Sequence, residues 1–373
     1  MTMRFCLRAL APFAALAVLS SVGCGGGGTT PGLRVLGKVS DPSGAPVKGV
    51  TVSAAGASAI TDAAGRYDLR VTSAASELVV TFGSASYNQC VSVVPVSETS
   101  NTEQNVTLLP VSRQASVDPV NATIVKDDRA DGNNALVALP AGGIVTPTGS
   151  SLNTAKVKIT TWVPGDVAYL ESFPAQYVGV SSRAAGEKVP LITYGAVNVT
   201  LEDGAGQPAK LAGTATLRFP VSTSNDPALP TIPLWYLDTD TGVWVSDSDA
   251  VRDETTTPVT YKAEVNHFSW WVIAVFPSSS VTIRVRVVRD PADSPLVPVF
   301  GAQVGVRRER GAWQGRGATN ANGQVSIIAP PPGPYDIRAQ KTEYFDEGPT
   351  SVVTSPGYVD VQYWLRPLGT GAS

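Results

Sequence analysis

Apolar residues recur at every second position in short runs along this chain, and Gly, Pro, Asn or Asp closes most of the runs. Val50-Thr51-Val52-Ser53, Lys156-Val157-Lys158-Ile159-Thr160 and Val281-Thr282-Ile283-Arg284-Val285-Arg286-Val287 show the alternation clearly. Successive side chains on a strand point to opposite faces, so this period predicts strands with one buried face. Val and Thr fill the runs, and Lys/Glu-rich stretches of helical period are missing. The pattern predicts an all-β protein, and 373 residues are enough for several β-sandwich domains in tandem.

The N-terminus departs from the pattern. Arg4 and Arg8 precede an apolar run from Ala9 to Leu19, and Ser20-Ser21-Val22-Gly23-Cys24 follows. The run is shorter than the roughly 20 residues that span a bilayer, so it predicts a cleaved secretory signal over 1–23. The small residues before Cys24 resemble a bacterial lipobox, with Ser21 in place of the usual Leu. That resemblance implies lipid on Cys24 and a membrane partner through it. Residues 24–32, with Gly25 to Gly28, are expected to be a tether. The signal implies export to the cell envelope, and the resemblance to lipoproteins of double-membraned bacteria, with Gly25 rather than Asp after the Cys, implies retention at the outer membrane.

Charge narrows the partners. With Arg4 and Arg8 removed, 26 basic residues face 31 acidic ones, a net charge of −5. No basic cluster is visible, so nucleic acid is not an expected partner. Cys6 leaves with the signal and Cys24 carries lipid, which leaves Cys90 without an internal disulfide partner.

The two ends of the body repeat one another. Thr61-Asp62-Ala63-Ala64-Gly65-Arg66-Tyr67 corresponds to Thr319-Asn320-Ala321-Asn322-Gly323-Gln324-Val325. Gly65 lies 45 positions before Pro110, and Gly323 lies 44 before Pro367. Asp62 or Asn320 can cap the turn, and the glycine supplies positive φ. The motif resembles the carboxypeptidase regulatory-like domain, with Gly37-Lys38-Val39 and Thr61 to Leu69 as its best-matched segments. The resemblance implies non-catalytic Ig/transthyretin-like sandwiches at 33–110 and 278–368, with 369–373 as a tail.

The segment between them, 111–277, is expected to be a two-part β module. Its first half resembles a ZU5-type sandwich. Its second half has Leu234-Trp235, Asp240-Thr241-Gly242-Val243-Trp244 and His267-Phe268-Ser269, an order resembling the extracellular module of cartilage intermediate layer protein. His267-Phe268-Ser269 also resembles the sequence at which some ZU5 and nucleoporin domains cut themselves. There Ser269 would attack the Phe268 carbonyl with His267 as proton acceptor. The competing reading makes Phe268 and its Trp neighbours core residues.

Other candidates are weaker in pattern. Asp238 and Asp240 could begin a calcium loop, although a hairpin turn explains them equally. Trp313, in a polar loop, is the candidate for stacking on a polysaccharide. A single His excludes a carboxypeptidase-type zinc centre, and no phosphate loop or nucleophile elbow occurs, so no cofactor is expected. The sequence reads as a non-enzymatic, lipid-anchored rod of sandwiches acting as scaffold, adhesin or binding module. Its expected partners beyond the membrane are a polysaccharide or another envelope protein. A carbohydrate-binding accessory protein and a self-cleaving module are the alternatives.

Overall fold

The computed structural model describes residues 32–164, 171–184, 186–221, 227–308, 314–330, 333–345, 350–353 and 357–368. The fold is all-β, and no helix among the described residues is long and apolar enough to cross a membrane.

In the first unit, Leu33–Ser40 pairs antiparallel with Arg66–Val71 and parallel with Thr102–Glu103 and Val106–Thr107. The facing sheet runs Ala57–Ile60, Thr51–Ala54, Glu77–Ser84, Tyr87–Pro95. Alternate residues point inward, and Val35, Val52, Leu69, Val80 and Phe82 form the core between the sheets. The last unit repeats this order. Val281–Val288 sits between Gln324–Ala329 and the parallel Gly357–Trp364, facing Gln314–Ala318, Gln303–Arg308, Pro334–Gln340 and Thr350–Val353.

The repeat extends to single hydrogen bonds. Thr61 Oγ1 donates to Val47 O and accepts from Val50 N; Thr319 Oγ1 donates to Val299 O and accepts from Ala302 N. Asp62 Oδ1 accepts from Ala64 N and Arg66 N, as Asn320 Oδ1 does from Asn322 N and Gln324 N. Gly65 (φ 72°) and Gly323 (φ 69°) follow, and a Cβ there would lie 2.3 Å from Val39 O and 2.4 Å from Val287 O, respectively. Only glycine fits both the backbone angle and the space.

Besides a separate pair, Ile144–Val145 with Lys210–Leu211, the central unit has a 12-stranded sheet, with Thr123–Lys126 at one end of its main path and Arg113–Val117 at the other. These strands are neighbours in sequence, and Arg113 Nη1 donates to Lys126 O at 2.9 Å between them, so the sheet rolls back on itself. Val137, Ile159, Leu217, Phe219, Tyr261, Trp271 and Ile273 fill the interior. In Trp270–Val275 the two faces part company. Trp271 and Ile273 face that interior, whereas Trp270, Val272 and Ala274 face a second apolar cluster outside it.

That second cluster corrects the expected rod. It joins Val91 and Leu109 of the first unit, Trp162, Phe173, Tyr177, Trp235 and Trp244 of the central one, and the core of the last unit. Phe173 stacks on Tyr177 with centroids 4.1 Å apart and lies 5.2 Å from Trp244. Burying one such ring contributes about 2 kcal/mol, so the three units close on one another instead of standing end to end.

Candidate functional site

The candidate site is the joint at which the first and last units touch. The seventh strand of the first unit breaks between Glu103 and Val106, which leaves the Asn105 backbone without ladder partners. The side-chain amide of Gln303 supplies both: Asn105 N donates to Gln303 Oε1 at 2.9 Å, and Gln303 Nε2 donates to Asn105 O at 3.0 Å. Beside it Glu103 N donates to Gly301 O, and Lys341 Nζ donates to Asn101 O (2.9 Å) and Phe300 O (2.6 Å). Thr342 donates to Glu103 Oε2. Burial draws the Lys341 pKa below its ordinary value, and Glu343 and Glu103 oppose that shift. A polar cleft of about 290 Å³ opens at this joint, between Gly32, Arg34 and the Ser97–Asn101 turn on one side and Lys341 and Glu343 on the other.

Two further contacts lock the central unit in. Asn88 Nδ2 reaches Leu109 O, Pro110 O and Thr160 Oγ1, while Asn88 Oδ1 accepts from Asn198 Nδ2 at 2.8 Å. Arg316 of the last unit donates to Glu171 O and Phe173 O. Cys90, next to the junction residue Val91, is buried in the core of the first unit, and desolvation pushes its thiol up to about 11, which makes it a poor nucleophile.

The residues singled out from sequence fall elsewhere. Cys24 and Trp313 lie outside the described residues. His267 Nδ1 bonds Asn266 Oδ1 at 2.9 Å, and its ring lies edge-on to Tyr236 and 4.9 Å from Trp271. Burial lowers its pKa, with Asp247 opposing. Ser269 Oγ donates to Leu237 O at 2.8 Å, and residues 266–269 are not among the positive-φ positions. Phe268 is half-buried and packs against the central core. The three are therefore held together by ordinary packing, with the hydroxyl and the imidazole engaged by different partners. Asp238 Oδ1 accepts from Asp240 N, and the turn closes through Gly242 N to Asp238 O. Its tip lies against the first unit: a Cβ on Gly242 would meet Val93 Cγ2 at 2.9 Å. Among the described residues no group of three or more His, Cys, Asp or Glu is placed to hold a metal.

Residues 34–109 match the model of the carboxypeptidase regulatory-like domain. No curated protein matches the chain. Among solved structures, the Bacillus anthracis TIE protein is 12% identical over 90% of this chain, with a TM-score of 0.21, and this chain spans about half of it (51%). The major pilin BcpA of Bacillus cereus is 10% identical over 90% of this chain and 99% of its own length, TM-score 0.21. The major pilin SpaD of Corynebacterium diphtheriae is 9% identical over 90% and 98%, TM-score 0.20. Superpositions at these scores assign no function.

Joint residues such as Gln303, Lys341, Asn88 and Arg316 carry no local motif. Their partners lie far off in sequence, 198 positions away for Asn105 and Gln303.

Proposed function

We propose that this protein is exported, held to the cell envelope at the outer membrane through lipid on Cys24, and works without catalysis as a rigid scaffold, adhesin or binding body. The observation that carries the reading is the closed joint. Two copies of one sandwich clasp each other through Gln303 and Lys341, and both dock on a third unit through buried aromatics. A body whose units meet through packed and hydrogen-bonded surfaces keeps its exposed faces in fixed relation, which suits presentation or load-bearing more than turnover.

The test is the denatured intact mass of the full chain made in a lipoprotein-processing bacterium. The expected result is one species beginning at Cys24 with added acyl mass. A chain without acyl mass overturns the anchor. A pair of fragments ending at Phe268 and beginning at Ser269 replaces the passive body with a self-cleaving one.

A further inference from the structure

The end of the last unit carries an open face with two exposed apolar residues, Phe345 and Leu368, and its counterpart in the first unit is covered. Tyr344 pairs antiparallel with Pro367, Phe345 N donates to Arg366 O, and Leu368 N donates to Glu343 O. Phe345, Arg366, Glu343 and Leu368 therefore lie on one side of that pairing. Phe345 is 50% and Leu368 51% exposed. In the first unit the same pairing joins Tyr87 to Pro110 and Asn88 to Leu109. There Asn88 and Leu109 are buried, 5% and 3% exposed, under the central unit.

The described chain begins near the open face. Gly32 lines the same cleft as Glu343, and Glu343 is bonded to Leu368. Eight residue steps separate Cys24 from Gly32, so covalent geometry holds Gly32 within about 29 Å of a lipid on Cys24. We infer that Phe345 and Leu368 rest on the lipid surface to which Cys24 is anchored, so that the joint faces the membrane and the central unit faces away. The inference rests on the lipid anchor proposed above. Phe and Leu suit the boundary between headgroups and acyl chains.

The test uses the full lipidated chain in phosphatidylcholine vesicles containing headgroup-nitroxide lipid. A fluorophore is placed on Phe345→Cys, on Leu368→Cys or on Val120→Cys, with buried Cys90 left unlabelled. Val120 is 67% exposed and follows Val117, which pairs with Ala155 at the end of Ala155–Trp162 remote from the junction. Contact within the interfacial layer predicts quenching about threefold or more stronger at 345 and 368 than at 120. Equal quenching at all three sites, in protein whose mass shows the acyl chains, overturns the membrane-facing pole and leaves the anchor standing. A mass without acyl chains overturns the anchor, and this inference with it.

Discussion

The first and last units share a turn down to its hydrogen bonds but part company at the seventh strand. In the last unit Gly357–Trp364 pairs with Val281–Val288 over its whole length. In the first unit the equivalent strand is cut in two, and Gln104 O swings toward the core, where Tyr67 OH donates to it at 2.7 Å. Two substitutions between the copies make this possible. Gly37 pairs with Tyr67 in the first copy, where Val285 pairs with Val325 in the last. A Cβ on Gly37 would lie 2.1 Å from Gln104 O, and a valine in place of Tyr67 could not bond it. The interruption presents Asn105 to Gln303 and so makes the joint. Turn chemistry is common to both copies, whereas the difference lies where one copy has to hold the other.

The largest test of this contrast is Gly37→Ala. The added methyl has no room beside a backbone carbonyl, so the loss in unfolding free energy should be about 4 kcal/mol, read from the denaturant midpoint. Val285→Ala, at the matching site, trims a buried side chain and should cost about 2 kcal/mol. A Gly37→Ala cost below that of Val285→Ala would sink the account of the broken strand.

The docked and open ends give the next contrast. Asn88→Ala removes four hydrogen bonds and strands buried carbonyls, for a loss of about 3 kcal/mol, whereas Phe345→Ala at the matching exposed site should stay within about 0.5 kcal/mol. Equal costs at the two sites would mean that Phe345 is covered within the chain. Smaller again is Tyr67→Phe, which leaves Gln104 O without its donor and should cost about 1.5 kcal/mol by the same denaturant titration. An unchanged midpoint would show that the tyrosine does not hold the carbonyl.

How much of this was legible follows from the range of each interaction. Strands such as Val281–Val288 and Ala155–Trp162 were readable because alternation is written within eight residues. The repeated turn was readable because Thr, Asp or Asn, and Gly act within five positions of one another. The rolled central sheet was not, since its order pairs strands far apart in sequence, Leu136–Leu139 with Ala215–Pro220 and Ile192–Asp203 with Trp270–Val275. The closed arrangement was hidden for the same reason. Trp162 and Trp244 sit on strands, but nothing nearby in sequence says that Phe173 of a loop will pack among them, or that the surface beyond belongs to another unit. Asp238 and Asp240 had the residue types of a cation loop and of a turn at once, and the backbone donors at the hairpin take up Asp238.

The smallest contrast is the most selective, because the copies differ there in one titratable atom. Asp62 and Asn320 hold the same turn by the same two backbone donors, but only Asp62 can be protonated. The Arg66 amide, with Ala64 N and the Arg66 side chain behind it, keeps the Asp62 carboxyl below its ordinary value of 3.8. A carboxylate whose folded pKa is depressed adds stability that is complete above the unfolded value and fades as pH falls through the folded one. The first turn should therefore weaken below about pH 4 while the last does not. Asp62→Asn should flatten the dependence of the denaturant midpoint on pH in that range, and Asn320→Asp should steepen it. Because Asp41, Asp68 and Asp131 are also held low and contribute a shared slope, the reading is the difference between each variant and the parent. If the two variants shift the slope in the same direction, the turns are not equivalent in the folded protein, and their matching geometry has a different origin in each copy.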